Sequence, residues 1–248
     1  MRRQFGETRS VVGRRHALIS ADSHEVTPIP GWPGARIVVV ISPHMGARFV
    51  QFFAGMPEGA AAQAPGEGVE RFVFVLEGAV TLTLGGEAHR LEAEDYALVP
   101  AGTAHHIEAV SVARLMVLEK MFVPLEGAAH PDLVIGSVGK QPSRPMSEDG
   151  LLSVRKLIPV DERFDCEINV MEFQPGGSLA YVETHFVEHG LLMLDGGGVY
   201  RLDDDWFPVA AGDVIWMGPY CPQWFGALGA TPARYLIYKN WNRDPLAG

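Results

Sequence analysis

An all-β fold made of two copies of one strand-rich domain is predicted by three observations. Short apolar runs recur along the whole chain, closely punctuated by Gly, Pro and Asp, as in β-sandwiches and barrels. Two separate motifs repeat at one offset. Leu76-Glu-Gly78 returns as Leu194-Asp-Gly196, and Glu94-Asp-Tyr-Ala-Leu-Val as Gly212-Asp-Val-Ile-Trp-Met, each 118 residues later. No segment carries the periodicity of a long amphipathic helix.

The elements follow in order. In the first half, β-branched and aromatic runs predict strands over Ile37–Ile41, Phe49–Phe53, Phe72–Leu76, Val80–Leu84, Tyr96–Val99 and Leu115–Leu118. In the second half the same reasoning predicts strands over Ile168–Phe173, Leu191–Leu194, Val199–Leu202, Val214–Met217 and Tyr235–Tyr238. Glu126 to Gly150 is rich in Pro, Gly and Ser and reads as a linker. The expected division is residues 1–125 (a first domain with an N-terminal arm), 126–150 (linker) and 151–248 (a second domain).

Composition narrows the function. Hydrophobic content of 47% and charged content of 20% in 248 residues are ordinary for a globular protein. The formal net charge is −10, and basic residues form no run longer than pairs such as Arg2-Arg3 and Arg14-Arg15, which argues against nucleic acid or an anionic membrane as partner. No apolar run is long enough to span a bilayer, and no apolar core follows the N-terminal charges, so a cytoplasmic protein is expected. Cys166 and Cys221 are too few for a disulfide framework and fit a reducing compartment, and Cys221 reads as a small buried side chain.

The chemistry is expected in the second copy, at Glu183-Thr-His185-Phe-Val-Glu-His189 followed by Gln223. Glu183 and His185 are two apart and share a strand face. His185 and His189 would lie roughly 13 Å apart on a flat strand, so a turn is expected at Val187-Glu188 to bring them together. A carboxylate and two imidazoles converging on one point make a metal site with room left for substrate. Alternation points Glu188 away from that site. Shifted back by 118, the four candidates fall on Pro65, Glu67, Arg71 and His105. An arginine there would repel a cation, so the first copy is expected to hold no metal, and His105-His106 reads as a turn pair. Trp206, Trp216, Trp224 and Trp241 read as packing residues.

At these residues the chain resembles a known family. Gly177, Glu183, His185, His189 and Gly196 hold the places of the first cupin motif, with Glu and His exchanged at its ends. Gly212, Gly218, Tyr220 and Gln223 stand at the second motif, with Gln223 replacing histidine. This resembles a bicupin, two tandem jelly-roll barrels. The exchanged Glu-His-His-Gln set is similar to that of the (S)-ureidoglycine aminohydrolases of purine-ring catabolism. The likeness extends to Thr8-Arg-Ser-Val-Val12, His16-Ala-Leu-Ile19, Asp22-Ser-His24, Pro30-Gly-Trp32, Arg234-Tyr-Leu-Ile-Tyr-Lys239 and Asn242-Arg-Asp-Pro245.

The resemblance implies one Mn²⁺ per chain on Glu183, His185, His189 and Gln223, although Fe²⁺, Ni²⁺ or Zn²⁺ would also suit these donors. It implies ureidoglycine as substrate, hydrolysed to (S)-ureidoglycolate and ammonia. Glu183 is expected to move protons. Lys239 and Tyr235, four apart on one strand face, are expected to meet the substrate, with Lys239 pairing its carboxylate or carrying a proton. Tyr200 and Gln223 complete the expected contacts. A homo-oligomer is also expected. Two other classes stay open at this point. One is a different metal cupin enzyme (dioxygenase, decarboxylase or isomerase) on a small carboxylate, and the other is a non-enzymatic binder of a small acid.

Overall fold

A computed structural model describes residues 7–243; Arg2-Arg3 and Asp244-Pro245 lie outside the described residues. An arm carries β1 (Val11–Val12) and β2 (His16–Ile19). The first repeat carries β3 (Arg36–Ile41), β4 (Val50–Met56), β5 (Ala61–Gln63), β6 (Val69–Glu77), β7 (Ala79–Leu84), β8 (Glu87–Glu92), β9 (Asp95–Val99), β10 (His105–Ala109), β11 (Ala113–Met121) and β12 (Val134–Ser137). The second carries β13 (Arg144–Pro145), β14 (Leu152–Lys156), β15 (Glu167–Phe173), β16 (His189–Asp195), β17 (Gly197–Leu202), β18 (Asp205–Ala210), β19 (Val214–Met217), β20 (Gln223–Ala227) and β21 (Ala233–Lys239). Helical structure among the described residues is limited to three short 3-10 turns, and no helix is long and apolar enough to cross a membrane.

Two compact units result. One spans Glu25–Pro142 together with Leu157–Asp165. Its sheets run β12-β9-β6-β11-β4-β3 and β5-β10-β7-β8. Phe52, Val73, Val80, Leu82, Leu91, Ile107 and Val117 are among the core side chains between them. The other unit takes the arm up to His24, then Ser143–Lys156 and the chain from Cys166. Its sheets run β1-β2-β19-β16-β21-β15-β14-β13 and β18-β17-β20, around Phe173, Leu191, Leu202, Ile215, Phe225 and Ile237. Every pairing is antiparallel, so alternate residues face a core, and each fully buried aliphatic or aromatic side chain contributes roughly 1.5–3 kcal/mol.

Two segments depart from the sequence division. β2 pairs with β19, so the arm joins the second barrel, where Arg9 donates to both carboxylate oxygens of buried Asp213 at 2.8 and 2.7 Å. The stretch expected as a linker holds β12, paired with β9, and β13, paired with β14. Neither pairing has a local signal, because each depends on a strand distant in sequence.

The repeated motifs repeat because their geometry does. Gly78 and Gly196 have φ of 75° and 65°, and an added Cβ would meet Val112 O at 2.1 Å and Pro232 O at 2.4 Å. The Asp95 carboxylate accepts from Glu92 N, and Asp213 from Ala210 N, both at 2.9 Å, closing the same turn twice. Register repeats too. Arg71 of β6 lies between Glu119 and Val99, as His189 of β16 lies between Lys239 and Met217. His105-His106 opens strand β10 rather than forming a turn, and its tail His105-His-Ile-Glu-Ala109 alternates buried and exposed.

Candidate metal centre

Three extended segments carry the four candidate ligands. Glu183 and Gln223 are locked together by the backbone: Glu183 N donates to Gln223 O at 2.8 Å, and Gln223 N to Glu183 O at 2.9 Å. Tyr220 N donates to His185 O at 2.7 Å. His189 is the first residue of β16 and therefore takes its place from the sheet. Glu183 Oε2 lies 3.8 Å from His185 Nε2, and the Gln223 amide nitrogen 3.2 Å from that same nitrogen. Rotating the amide by 180° presents its oxygen to a cation at the same place. The rings of His185 and His189 are 5.0 Å apart and perpendicular.

The bend that gathers the two histidines is at Phe186, just before the expected Val187-Glu188 turn. Val187 and Glu188 are fully buried instead. The Glu188 carboxyl accepts from Trp216 Nε1 at 2.8 Å, and Glu188 N donates to Asn240 Oδ1 at 2.6 Å. Glu188 faces away from the ligands as alternation requires, and its contacts brace the segment from behind.

The donors suit a divalent cation. His185 Nδ1 and His189 Nδ1 are buried without a hydrogen-bond partner. Burial, then Lys239 and His185, hold the His189 imidazole well below its ordinary pKa, against the opposing pull of the Tyr238 backbone. It is therefore neutral, with a lone pair to offer. Two nitrogen donors with a carboxylate and an amide oxygen are a mixed set that favours no thiophilic ion.

Behind the ligands lies an aromatic floor. Tyr200 and Tyr235 are 1% exposed and pack on Phe225, with ring centroids at 5.5 and 5.6 Å. Burial raises both phenol pKa values, and the Glu183 carboxylate adds to the effect in each case. Both are hydroxyl donors at neutral pH. Half-buried Lys239 ends β21 opposite His189 on one side and Glu167 on the other. Burial lowers its pKa, while Glu183 and Glu167 raise it and Lys156 lowers it further. Lys156 Nζ is itself 2.9 Å from Glu167 Oε1. Glu167, Lys156, Glu188, Trp216 and Asn240 carry no motif signal, because cross-strand register alone brings them near the site.

The first barrel answers with a different set. Arg71 is 1% exposed, where the second barrel has His189. Its guanidinium donates to Glu119 at 2.7 Å and to Gln63 O at 2.7 Å, lies 3.1 Å from His105 Nε2 and sits over the Trp32 ring. Glu119 stands where the second barrel has Lys239, so cation and partner have exchanged strands. Glu67 is exposed and takes no part. Trp216 and Trp224 pack as expected. Trp206 and Trp241 are not buried: they are 56% and 50% exposed, and Trp206 meets Trp224 edge-on with ring centroids 5.7 Å apart.

The cupin domain family matches residues 52–119 and 169–238, one stretch in each barrel. The chain is 43% identical over 242 residues to the (S)-ureidoglycine aminohydrolase of Arabidopsis thaliana, covering 97% of this chain and 80% of that one. It is 32% identical over 235 residues to the (S)-ureidoglycine aminohydrolase of Escherichia coli K12, covering 92% and 89%. Among solved structures it superposes on the protein Ylba from E. coli with a TM-score of 0.84 and 30% identity, covering 96% of both chains.

Proposed function

Since the chain belongs to the (S)-ureidoglycine aminohydrolase family of cupin domain proteins, we propose that it hydrolyses (S)-ureidoglycine to (S)-ureidoglycolate and ammonia at one divalent metal ion in the second barrel. It is a hydrolase acting on a carbon–nitrogen bond. Glu183, His185, His189 and Gln223 are the proposed ligands, and Mn²⁺ the proposed ion, since oxygen and imidazole donors suit it. When bound, the ion supplies a Lewis-acid anchor for the substrate.

One observation carries the assignment of roles. The Glu183 carboxylate is an electrostatic neighbour of Tyr200, Tyr235 and Lys239 alike. The substrate carbon bears a carboxylate, an amine and a ureido nitrogen. Lys239 pairs with the carboxylate as a compact cation. The neutral phenols of Tyr200 and Tyr235 donate hydrogen bonds from the aromatic floor. Three fixed contacts on one carbon select one enantiomer. Glu183 moves one proton from water to the amine, so that a C–O bond forms, the C–N bond breaks and nitrogen leaves as ammonia. Gln223 orients the substrate from β20, to which the Glu183 segment is hydrogen-bonded. The proposal includes a homo-oligomer acting in the cytoplasm during allantoin breakdown.

The test is ammonia release and product chirality with freshly generated ureidoglycine, after chelation and with or without added Mn²⁺. The uncatalysed decay is subtracted. Metal-dependent release of (S)-ureidoglycolate alone is expected. A rate equal to background with metal bound refutes the substrate, and full activity in the chelated protein refutes the metal.

A further inference from the structure

A second cluster in the same barrel takes no part in this chemistry. His16 of β2, Asp203 in the turn between β17 and β18, and Cys221 just after β19 each bring one ligand atom within 4.8 Å of the others. His16 is 5% exposed, and neither of its ring nitrogens has a hydrogen-bond partner. Its Nδ1 lies 3.7 Å from Asp203 Oδ2. That is too long for a hydrogen bond. It is close to the edge of a tetrahedron of ligands around zinc, roughly 3.4 Å from the usual metal–ligand lengths. Gly13 leaves room for the ring, since a Cβ there would stand 2.9 Å from His16 Cε1.

We propose that His16, Asp203 and Cys221 form a metal site for a thiophilic divalent ion of the zinc type. A carboxylate, a thiolate and a neutral imidazole together balance two positive charges. Asp203 is the most open of the three, with its side chain 23% exposed, so a water can complete the coordination. Cys221 is itself 3% exposed, so its sulfur would meet the ion inside the barrel. Arg15 is the rival cation: its guanidinium ion-pairs with Asp203 and donates to Tyr220 O at 3.1 Å. With its side chain 45% exposed, Arg15 can swing into water as the ion arrives. The donors differ in kind from the catalytic set, which has no sulfur. An ion here would tie the arm to two turns of the barrel, one of them two residues before Gln223.

Cobalt tests this directly, because only a thiolate ligand gives Co²⁺ a sulfur-to-metal charge-transfer band. The metal-stripped full-length protein is titrated with Co²⁺ under a non-thiol reductant. Two equivalents, one for each site, should suffice to produce the band, Cys221→Ser should abolish it, and Cys166→Ser should leave it. His16→Ala should weaken the apparent affinity roughly tenfold or more. No band in the wild-type protein at excess Co²⁺, or a band that survives Cys221→Ser, overturns the proposal. Absence of the band from the wild-type protein overturns the proposal even if a variant fails to fold.

Discussion

Glu188 is the sharpest place to test how this site is held. It is 0% exposed, sits beside His189, and accepts from the indole of Trp216, itself 3% exposed, at 2.8 Å. Glu188→Ala strands that indole N–H in a dry interior, which costs about 1–3 kcal/mol. The missing side-chain atoms add a cavity cost of about 1 kcal/mol or more. Glu188→Gln keeps an acceptor and should lose less. A double-mutant cycle with Trp216→Phe isolates the pair, with an expected coupling of about 1–2 kcal/mol. The assay is urea unfolding of metal-free protein followed by tryptophan fluorescence, since four of the five tryptophans lie in the second barrel. The same Glu188→Ala protein should bind its catalytic metal roughly 10–100-fold more weakly, because the segment carrying His189 loses its brace. A stability change under about 0.5 kcal/mol, or a coupling indistinguishable from zero, refutes this account of Glu188.

Other perturbations separate the remaining roles. His189→Ala should remove bound metal and activity together, read by metal analysis beside ammonia release; an active metal-free variant sinks the mechanism. Lys239→Ala should keep its metal and lose turnover by about 10²-fold or more, as expected for a positioned charge at the reacting centre; unchanged kinetics would remove Lys239 from the site. Glu70 is buried beside Lys120 and Asp165, and burial first, then Asp165, push its pKa up to about 8 against the pull of Lys120. The folded state therefore holds this proton more tightly than the unfolded chain does, so its contribution to stability is complete below about 4.5 and declines as pH rises through about 8. Glu70→Gln should flatten stability between those values, measured by denaturant titration at several pH values; an unchanged slope contradicts the buried proton. Gly196→Ala should destabilise the second barrel by about 1–3 kcal/mol through its left-handed φ, with more from the clash at Pro232 O, and a neutral change in melting would contradict that.

Much of the fold was legible because its central strands are rich in β-branched and aromatic residues. Ile37–Ile41 and Val214–Met217, for example, fall inside β3 and on β19. Most of the strands left unread sit at edges or begin with polar residues, and β14 (Leu152–Lys156) was missed because only two of its five residues are buried. β8 buries only Leu91 of Glu87-Ala-His-Arg-Leu-Glu92, and β18 carries Pro208, which an edge tolerates. β10 hid behind its opening His105-His106 pair. The ligand candidates were legible because spacing encodes which side chains share a face. What supports them was not: the Arg9–Asp213 pair, the Glu188–Trp216 bond and the Glu167–Lys239 pairing join residues with no sequence relation. Duplication made the rest readable. A constant offset let Arg71 be placed against His189, and the register agrees strand for strand.

That guanidinium has a consequence for how the protein meets scarcity. Chelators and metal-poor growth would strip the proposed ion from the second barrel, but no chelator can extract a side chain. Arg71 is a covalent cation, supplied by translation and always present in full stoichiometry. The first barrel should therefore stay folded whatever the metal supply, so that any loss of stability on metal starvation is confined to the second.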